Sequence, residues 1–205
     1  MIVIVDYGVG NLGSILNMLR YLKIDAKISS KISDIELAEK LILPGVGAFD
    51  DGMEKLYDTG LISALQKKVM DQKTPILGIC LGMQLFTEKS EEGTTPGLGW
   101  IDAETKRFRF NGLNTKLKIP HMGWNTVKIH DASTLYKGMD GEVRFYFIHS
   151  YYVQCHNPNN IITTTPYGIE FTSSLKSNNI YGVQFHPEKS HKFGMKLFKN
   201  FAEMT

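Results

Sequence analysis

Pro75-Ile76-Leu77-Gly78-Ile79-Cys80-Leu81-Gly82 is the stretch on which the reading of this chain turns. Its apolar run shows no polar alternation, as expected of a short strand buried on both faces of a parallel sheet. Cys80 then stands between Gly78 and Gly82, the small-x-nucleophile-x-small pattern of a sharp strand-to-helix turn. Such a turn exposes the side chain at its tip, and the flanking glycines let neighbouring backbone pass without a Cβ clash. A helix opening near Leu81 would direct its positive end at the sulfur and favour the thiolate. The opposing reading is an inert core cysteine, since unpaired Cys is among the most buried residue types.

Working outward, Ile2 to Val5 reads as a first buried strand, followed by a glycine-rich turn from Gly8 to Gly13. Leu12, Ile15, Leu16, Leu19 and Leu22 recur at helical spacing and form one apolar stripe. A short strand at 26–29, another at 40–43 running into Pro44-Gly45-Val46-Gly47, and a helix marked by Leu61, Ile62, Leu65 and Val69 follow. After the strand leading to Cys80, the next helix is expected to end near Glu88. Alternating strands and helices imply a mostly parallel sheet with helices on both faces. From Gly93 the texture changes to β-rich runs at 106–110, 126–129, 143–153, 161–165, 169–174 and 180–185. These read as antiparallel or mixed strands extending the same sheet, closed by a helix over 192–203. No repeat or linker interrupts the chain, so residues 1–205 read as one α/β domain.

Composition excludes several classes. The 205 residues are 42% hydrophobic and 21% charged with a net charge of +2, which gives no electrostatic pointer to nucleic acid or an acidic membrane surface. Two cysteines, Cys80 and Cys155, make no disulfide framework and no C-x-x-C pair. The opening lacks a basic flank and a long apolar core, and no 18-residue apolar span occurs, so a cytoplasmic protein is expected.

Three further motifs can be weighed on chemistry. Gly8-Val9-Gly10-Asn11-Leu12-Gly13 fits G-x-G-x-x-G where a dinucleotide-binding turn would sit. That fingerprint also wants an acid at the tip of the second strand, where this chain has Ser29-Ser30-Lys31. Lys31 could serve a 2′-phosphate, which keeps an NADP-type oxidoreductase as a rival, but a tight strand-to-helix turn near the site is the preferred reading of the glycines. His186-Pro187-Glu188 closes the strand ending at Phe185, because proline cannot donate to a ladder. A His there can act as base toward a thiol, and an acid two residues on can fix its tautomer. The bland alternative is a surface His beside a surface acid. H-x-E also opens a zinc-deaminase signature, but the later P-C-x-x-C is missing and His186 and His191 are not spaced for one helix face, so no metal is expected. Pro44-Gly45-Val46-Gly47 ends a predicted strand on the side where ligands gather in open α/β sheets, with backbone N–H groups free to turn toward an oxyanion. Any strand-to-loop turn can carry Pro-Gly. His121-Met122-Gly123-Trp124-Asn125 and Tyr146-Phe147-Ile148-His149-Ser150-Tyr151 read as half-buried strands, or as an aromatic patch that covers a partner.

Taken jointly, PGVG, GICLGMQL around Cys80 and HPEKS resemble the triad, or class I, glutamine amidotransferases. DYGVGNLGS, PGVGAF, HMGWN, FYFIHSYY and FHPEKS narrow the likeness to a glutaminase subunit that serves histidine biosynthesis, and the motifs span positions 6 to 190. The resemblance implies a flavodoxin-like fold with an added β-rich half, and no cofactor. It implies that Cys80 attacks the side-chain amide of glutamine, that His186 moves the protons, and that Glu188 orients His186. Gly47, Gln84, Ser150 and Tyr151 match substrate-binding positions; Val46, Gly47 and Leu81 match the oxyanion strand and the residue after the nucleophile. In the family the oxyanion N–H is held to point away until a partner primes it. Little chain remains for a site that would consume ammonia, so a separate subunit docked over the Cys80 face is expected. The resemblance makes that partner a (β/α)8-barrel cyclase paired as a heterodimer, yielding imidazole glycerol phosphate and an aminoimidazole carboxamide ribotide. Asn11, Met122, Trp124, Tyr146 and Lys189 match positions near that interface. A pyridoxal-phosphate-forming glutaminase is the neighbouring alternative; a Cys-His hydrolase acting alone and a non-enzymatic binding module are the remaining rivals.

Overall fold

The first half of the chain alternates as its apolar periods require. In a computed structural model describing residues 1–110, 117–132 and 134–204, β1 (Ile2–Val5), β2 (Ala26–Ser29), β3 (Lys40–Gly45) and β4 (Ile76–Cys80) are separated by α1 (Leu12–Tyr21), α2 (Ile32–Leu37), α3 (Phe49–Asp58) and α4 (Ile62–Gln66). One π-turn, Lys67–Asp71, extends α4, and α5 (Leu81–Leu85) follows β4 directly. The second half supplies β5 (Ala103–Arg107), β6 (His121–Thr126), β7 (Lys128–Ile129), β8 (Arg144–His149), β9 (Tyr151–Cys155), β10 (Ile161–Tyr167), β11 (Ile169–Ser177) and β12 (Ile180–Val183), then α6 (His191–Glu203).

Among the described residues the main sheet has ten strands, with the path β2-β1-β3-β4-β12-β11-β10-β7 and β5 and β9 branching from β11. The pairs from β2 through β12 are parallel and those beyond are antiparallel. Side chains alternate across this sheet. Ile4, Ile42, Leu77 and Ile79 join the core beneath α1 and α6, while Val3, Val5, Leu41, Leu43 and Ile76 join the core beneath α2 to α5. Each such buried Ile or Leu contributes about 1.5–3 kcal/mol of transfer free energy. Both faces are covered, which is why these strands read as unbroken apolar runs.

Four expectations need correction. The sequence pattern marks no helix between residues 30 and 60, where the structure has both α2 and α3. The N-terminus of α3 takes its cap from far along the chain, where the Glu92 carboxylate accepts the Phe49 N–H at 2.9 Å, so no local signal marks it. Helix α5 stops at Leu85 instead of near Glu88. The returning segment 97–101 takes over its terminal carbonyls, with N–H groups of Leu98, Trp100 and Gly99 donating to Leu85, Phe86 and Thr87. The run 143–153 is two strands that part at Ser150: β8 pairs only with β6 in a separate two-stranded sheet, and β9 pairs with β5 and β11. The β-rich half therefore does not extend one sheet throughout.

Candidate active site

Three neighbouring parallel strands bring the sequence motifs together. In register, Gly45 of β3 lies opposite Cys80 of β4, and Val183 of β12 lies opposite Ile79. The chain leaves β12 through Gln184 and Phe185 to reach His186, so PGVG, the cysteine elbow and HPE meet at the carboxyl ends of adjacent strands. Cys80 has φ 55° and ψ −111°, a left-handed backbone unusual for a side-chain-bearing residue. The turn can close this tightly because Gly82 has no Cβ; one built there would lie 1.8 Å from the Leu43 carbonyl oxygen.

His186 and Glu188 are almost wholly buried. The His186 Nδ1 lies 2.9 Å from Glu188 Oε1, and the ring's Nε2 is buried without another hydrogen-bond partner, as is Glu188 Oε2. Burial opposes a charge on the ring, but the Cys80 sulfur and the Glu188 carboxylate outweigh it and push its pKa up to about 10. The ring therefore favours its charged form beside Cys80. Ser190 fixes the segment in place, its hydroxyl donating to the His186 carbonyl at 2.6 Å and accepting the Tyr146 N–H at 3.0 Å.

A cavity of about 360 Å³ opens beside this triad. Val46 and Gly47 form its wall at the end of β3, Gln84 rises from α5, and Ser150 and Tyr151 come from the break between β8 and β9. All the substrate and oxyanion positions expected from the sequence therefore gather here, with Leu81 buried at the start of α5 just behind Cys80. The glycine-rich turn has a structural task. Gly10, at φ 107°, packs on Pro44, whose side chain a Cβ would meet at 3.1 Å, and the Tyr7 hydroxyl donates to the Pro44 carbonyl at 2.7 Å. The turn thus braces the PGVG segment, and Gly10 needs no dinucleotide to explain it.

Of the expected partner-facing residues, Met122 and Trp124 are 58% and 47% exposed on the outer side of β6. The Trp124 ring meets Tyr146 edge-on, and the Lys189 ammonium lies 5.8 Å over the Tyr146 ring. Asn11 is half-buried at the start of α1 beside Gly10. Val46, 45% exposed, is an apolar residue on the same rim as the cavity mouth.

Sequence reasoning missed four residues of this site. Glu92 lines the cavity, and its pKa is raised chiefly by burial, with Asp50 and Asp51 adding to it and the Phe49 N–H opposing. It sits in the charged run 88–92, which reads as an ordinary solvated loop. Tyr7 and His149 lie inside quoted motifs, and Gln184 inside the strand run 180–185, without any local sign that their polar atoms turn inward. Among the described residues no group of His, Cys, Asp and Glu could hold a metal ion, and no helix is long and apolar enough to cross a membrane.

Comparison with known proteins places the chain in a family. Residues 3–204 match the family described as glutamine amidotransferase class-I. The chain is 57% identical to imidazole glycerol phosphate synthase subunit HisH 2 of Methanococcus maripaludis and 50% identical to subunit HisH 2 of Pseudomonas aeruginosa, each over the full length of both chains. A chain in the solved structure of PurLQS from Thermotoga maritima superimposes with a TM-score of 0.72 at 16% identity, covering 98% of this chain and 96% of that one. The last likeness concerns the fold alone.

Proposed function

The chain belongs to the class-I glutamine amidotransferases, as a glutaminase subunit of imidazole glycerol phosphate synthase of the HisH kind; from this we propose that Cys80, His186 and Glu188 are its catalytic triad and that residues 1–205 form one glutaminase domain. The observation that carries the reading is the buried His186 ring, bound through Nδ1 to Glu188 and left with Nε2 for Cys80.

In the proposed reaction the Cys80 sulfur bonds to the side-chain carbonyl carbon of glutamine, and the oxygen becomes an oxyanion. In this proposal the N–H groups of Leu81 and of the Val46–Gly47 segment receive it once the partner has primed the strand. The C–N bond then breaks as the His186 imidazolium gives its proton to the leaving nitrogen, releasing ammonia and a glutamyl thioester. Water attacks the thioester, its proton passes to His186, and glutamate leaves with the thiolate restored. Glu188 holds the ring's orientation and charge throughout. Gln84, Gly47 and the backbone of Ser150 and Tyr151 hold the substrate, and the Glu92 carboxylate offers a counter-charge for its α-ammonium.

Ammonia released to neutral water becomes unreactive ammonium, so the proposal includes a second subunit seated over the cavity mouth. The exposed Met122, Trp124 and Val46, with Tyr146, Lys189 and Asn11, are the surface proposed to meet it. A (β/α)8-barrel cyclase paired one-to-one with this chain is the proposed partner, with imidazole glycerol phosphate and the aminoimidazole carboxamide ribotide as products. The test is conversion of glutamine to glutamate with and without the cyclase and its nucleotide substrate. Wild type is expected to gain at least about 10²-fold on adding them, the scale of one oxyanion donor. Cys80→Ser is expected to lose at least about 10³-fold, while synthesis from added ammonium salts continues. Equal rates with and without the partner, or an active Cys80→Ser chain, would contradict the proposal.

A further inference from the structure

One backbone carbonyl in the cavity wall sets the direction of a hydrogen-bond chain running both ways from it. The Tyr151 oxygen lies 2.7 Å from His149 Nδ1 and 3.2 Å from Gln84 Nε2. A carbonyl can only accept, so both of those nitrogens carry the hydrogen. With Nδ1 protonated, a neutral His149 has an acceptor at Nε2, and the atom facing it at 2.9 Å is His121 Nδ1, which must then be a donor. That leaves His121 Nε2 as acceptor for the Asn125 amide at 3.2 Å. Asn125 spends its remaining groups on the Pro166 carbonyl at 3.0 Å and the Thr126 N–H at 2.8 Å. Both rings are buried, and burial lowers them to about 4 for His121 and about 3 for His149, so they stay neutral as the chain requires.

In the other direction, Gln84 Nε2 also donates to Gln184 Oε1 at 3.1 Å, which turns the Gln184 amide nitrogen to the Cys80 sulfur at 3.8 Å. Both hydrogens of the Gln84 amide are therefore spent inside the protein. What it still has for a ligand is its oxygen.

We propose that His121, His149 and Gln184 are positioning residues for the glutaminase reaction: the chain fixed by the Tyr151 carbonyl locks Gln84 with its oxygen toward the substrate and holds an N–H of Gln184 on the Cys80 sulfur. This rests on the reading of the cavity as a glutaminase site. It also links β6, whose outer side carries Met122 and Trp124, to the nucleophile through contacts that each have one permitted direction. His121 and His149 act on substrate binding through Gln84, whereas Gln184 acts on the sulfur itself, so their removal separates into different kinetic constants.

The test combines ring-nitrogen NMR of the histidine-labelled chain with glutamine kinetics of its complex with the cyclase. At pH 7 the rings of His121 and His149, assigned by their loss in His121→Phe and His149→Phe, are expected to be neutral with the proton on Nδ1. His149→Phe is expected to raise KM about tenfold with kcat within about threefold, the effect of stranding a buried hydrogen-bond partner. His149→Asn keeps an N–H where Nδ1 was but loses the acceptor facing His121, and its KM is expected between those of wild type and His149→Phe. Gln184→Met is expected to lower kcat instead. A proton on Nε2 of either ring overturns the proposal, and if those variants misfold the rings are assigned instead by through-space contacts to Phe108, which lies against both. So does an unchanged KM in a folded His149→Phe. Wild type inactive on glutamine with the cyclase present would instead overturn the glutaminase reading, and this inference with it.

Discussion

Two groups of buried histidine border the same cavity, and burial leads to opposite results in them. His186 and the pair His121 and His149 are all nearly inaccessible, and loss of water disfavours a charged ring in each case. His186 has a carboxylate at 2.9 Å and a sulfur to face, and it is held charged. His149 has only a carbonyl and another imidazole, and it is held neutral. Burial alone thus decides nothing about a histidine's role. The chemistry of its first neighbour does, and one cavity wall here holds a charged ring beside neutral ones.

The sharpest way to break this contrast is to remove the negative neighbour. Glu188→Gln keeps the shape but takes away the charge, so His186 should fall toward the neutral state of the other pair. Glutaminase activity in the complex is expected to drop by about 10²–10³-fold, less than for Cys80→Ala or His186→Ala, because orientation by the amide partly survives. A loss equal to that of Cys80→Ala would make Glu188 more than an orienting group.

A second contrast lies in stability against pH, measured by denaturant unfolding. His121 and His149 bind protons more readily unfolded, near 6.5, than folded, at about 4 and about 3. Stability from these rings is present above pH 6.5 and declines as pH falls below it, with a slope approaching two protons at about pH 5. Replacing both with Phe should flatten that segment. His186 behaves in the reverse sense: its folded pKa is raised to about 10, so its contribution is full below 6.5 and is lost as pH rises through 10. The gap in stability between wild type and His186→Asn should therefore shrink from pH 7 to 10. This effect is smaller than the first, since the two rings on the acid side add.

How much of this was legible in the sequence follows from the range of the forces involved. The parallel half was readable because Ile2 to Val5, Leu41 to Leu43 and Ile76 to Ile79 are buried on both faces, a condition that leaves a local mark. The elbow at Cys80 was readable for the same reason, since its tight turn demands glycine at a fixed offset. Helix α3 was not, although Phe49, Met53 and Leu56 carry its period, because Gly52 and the acids around it resemble a loop and its cap comes from Glu92. The split at Ser150 left little mark either: 143–153 is mostly apolar and aromatic on both sides of it, and the pairing of β8 with β6 draws the first part away from the main sheet. The relay through His121 and His149 was the least visible, being settled by a cross-strand register pair and a carbonyl, neither of which has a composition signal.

The central claim is that the sulfur at the elbow is a nucleophile shaped for glutamine, and the chain carries its own control. Cys155 is half-buried, and its pKa is raised to about 11 by burial, with Asp102 adding and Thr172 opposing. The direct measurement is the intact and peptide mass of the chain, bound to the cyclase, after exposure to a glutamine analogue with a chloroketone in place of the amide. One adduct on Cys80, suppressed by excess glutamine and missing from Cys80→Ser, is the result expected. Labelling of Cys155 at an equal rate, or labelling of Cys80 that glutamine does not slow, would contradict it.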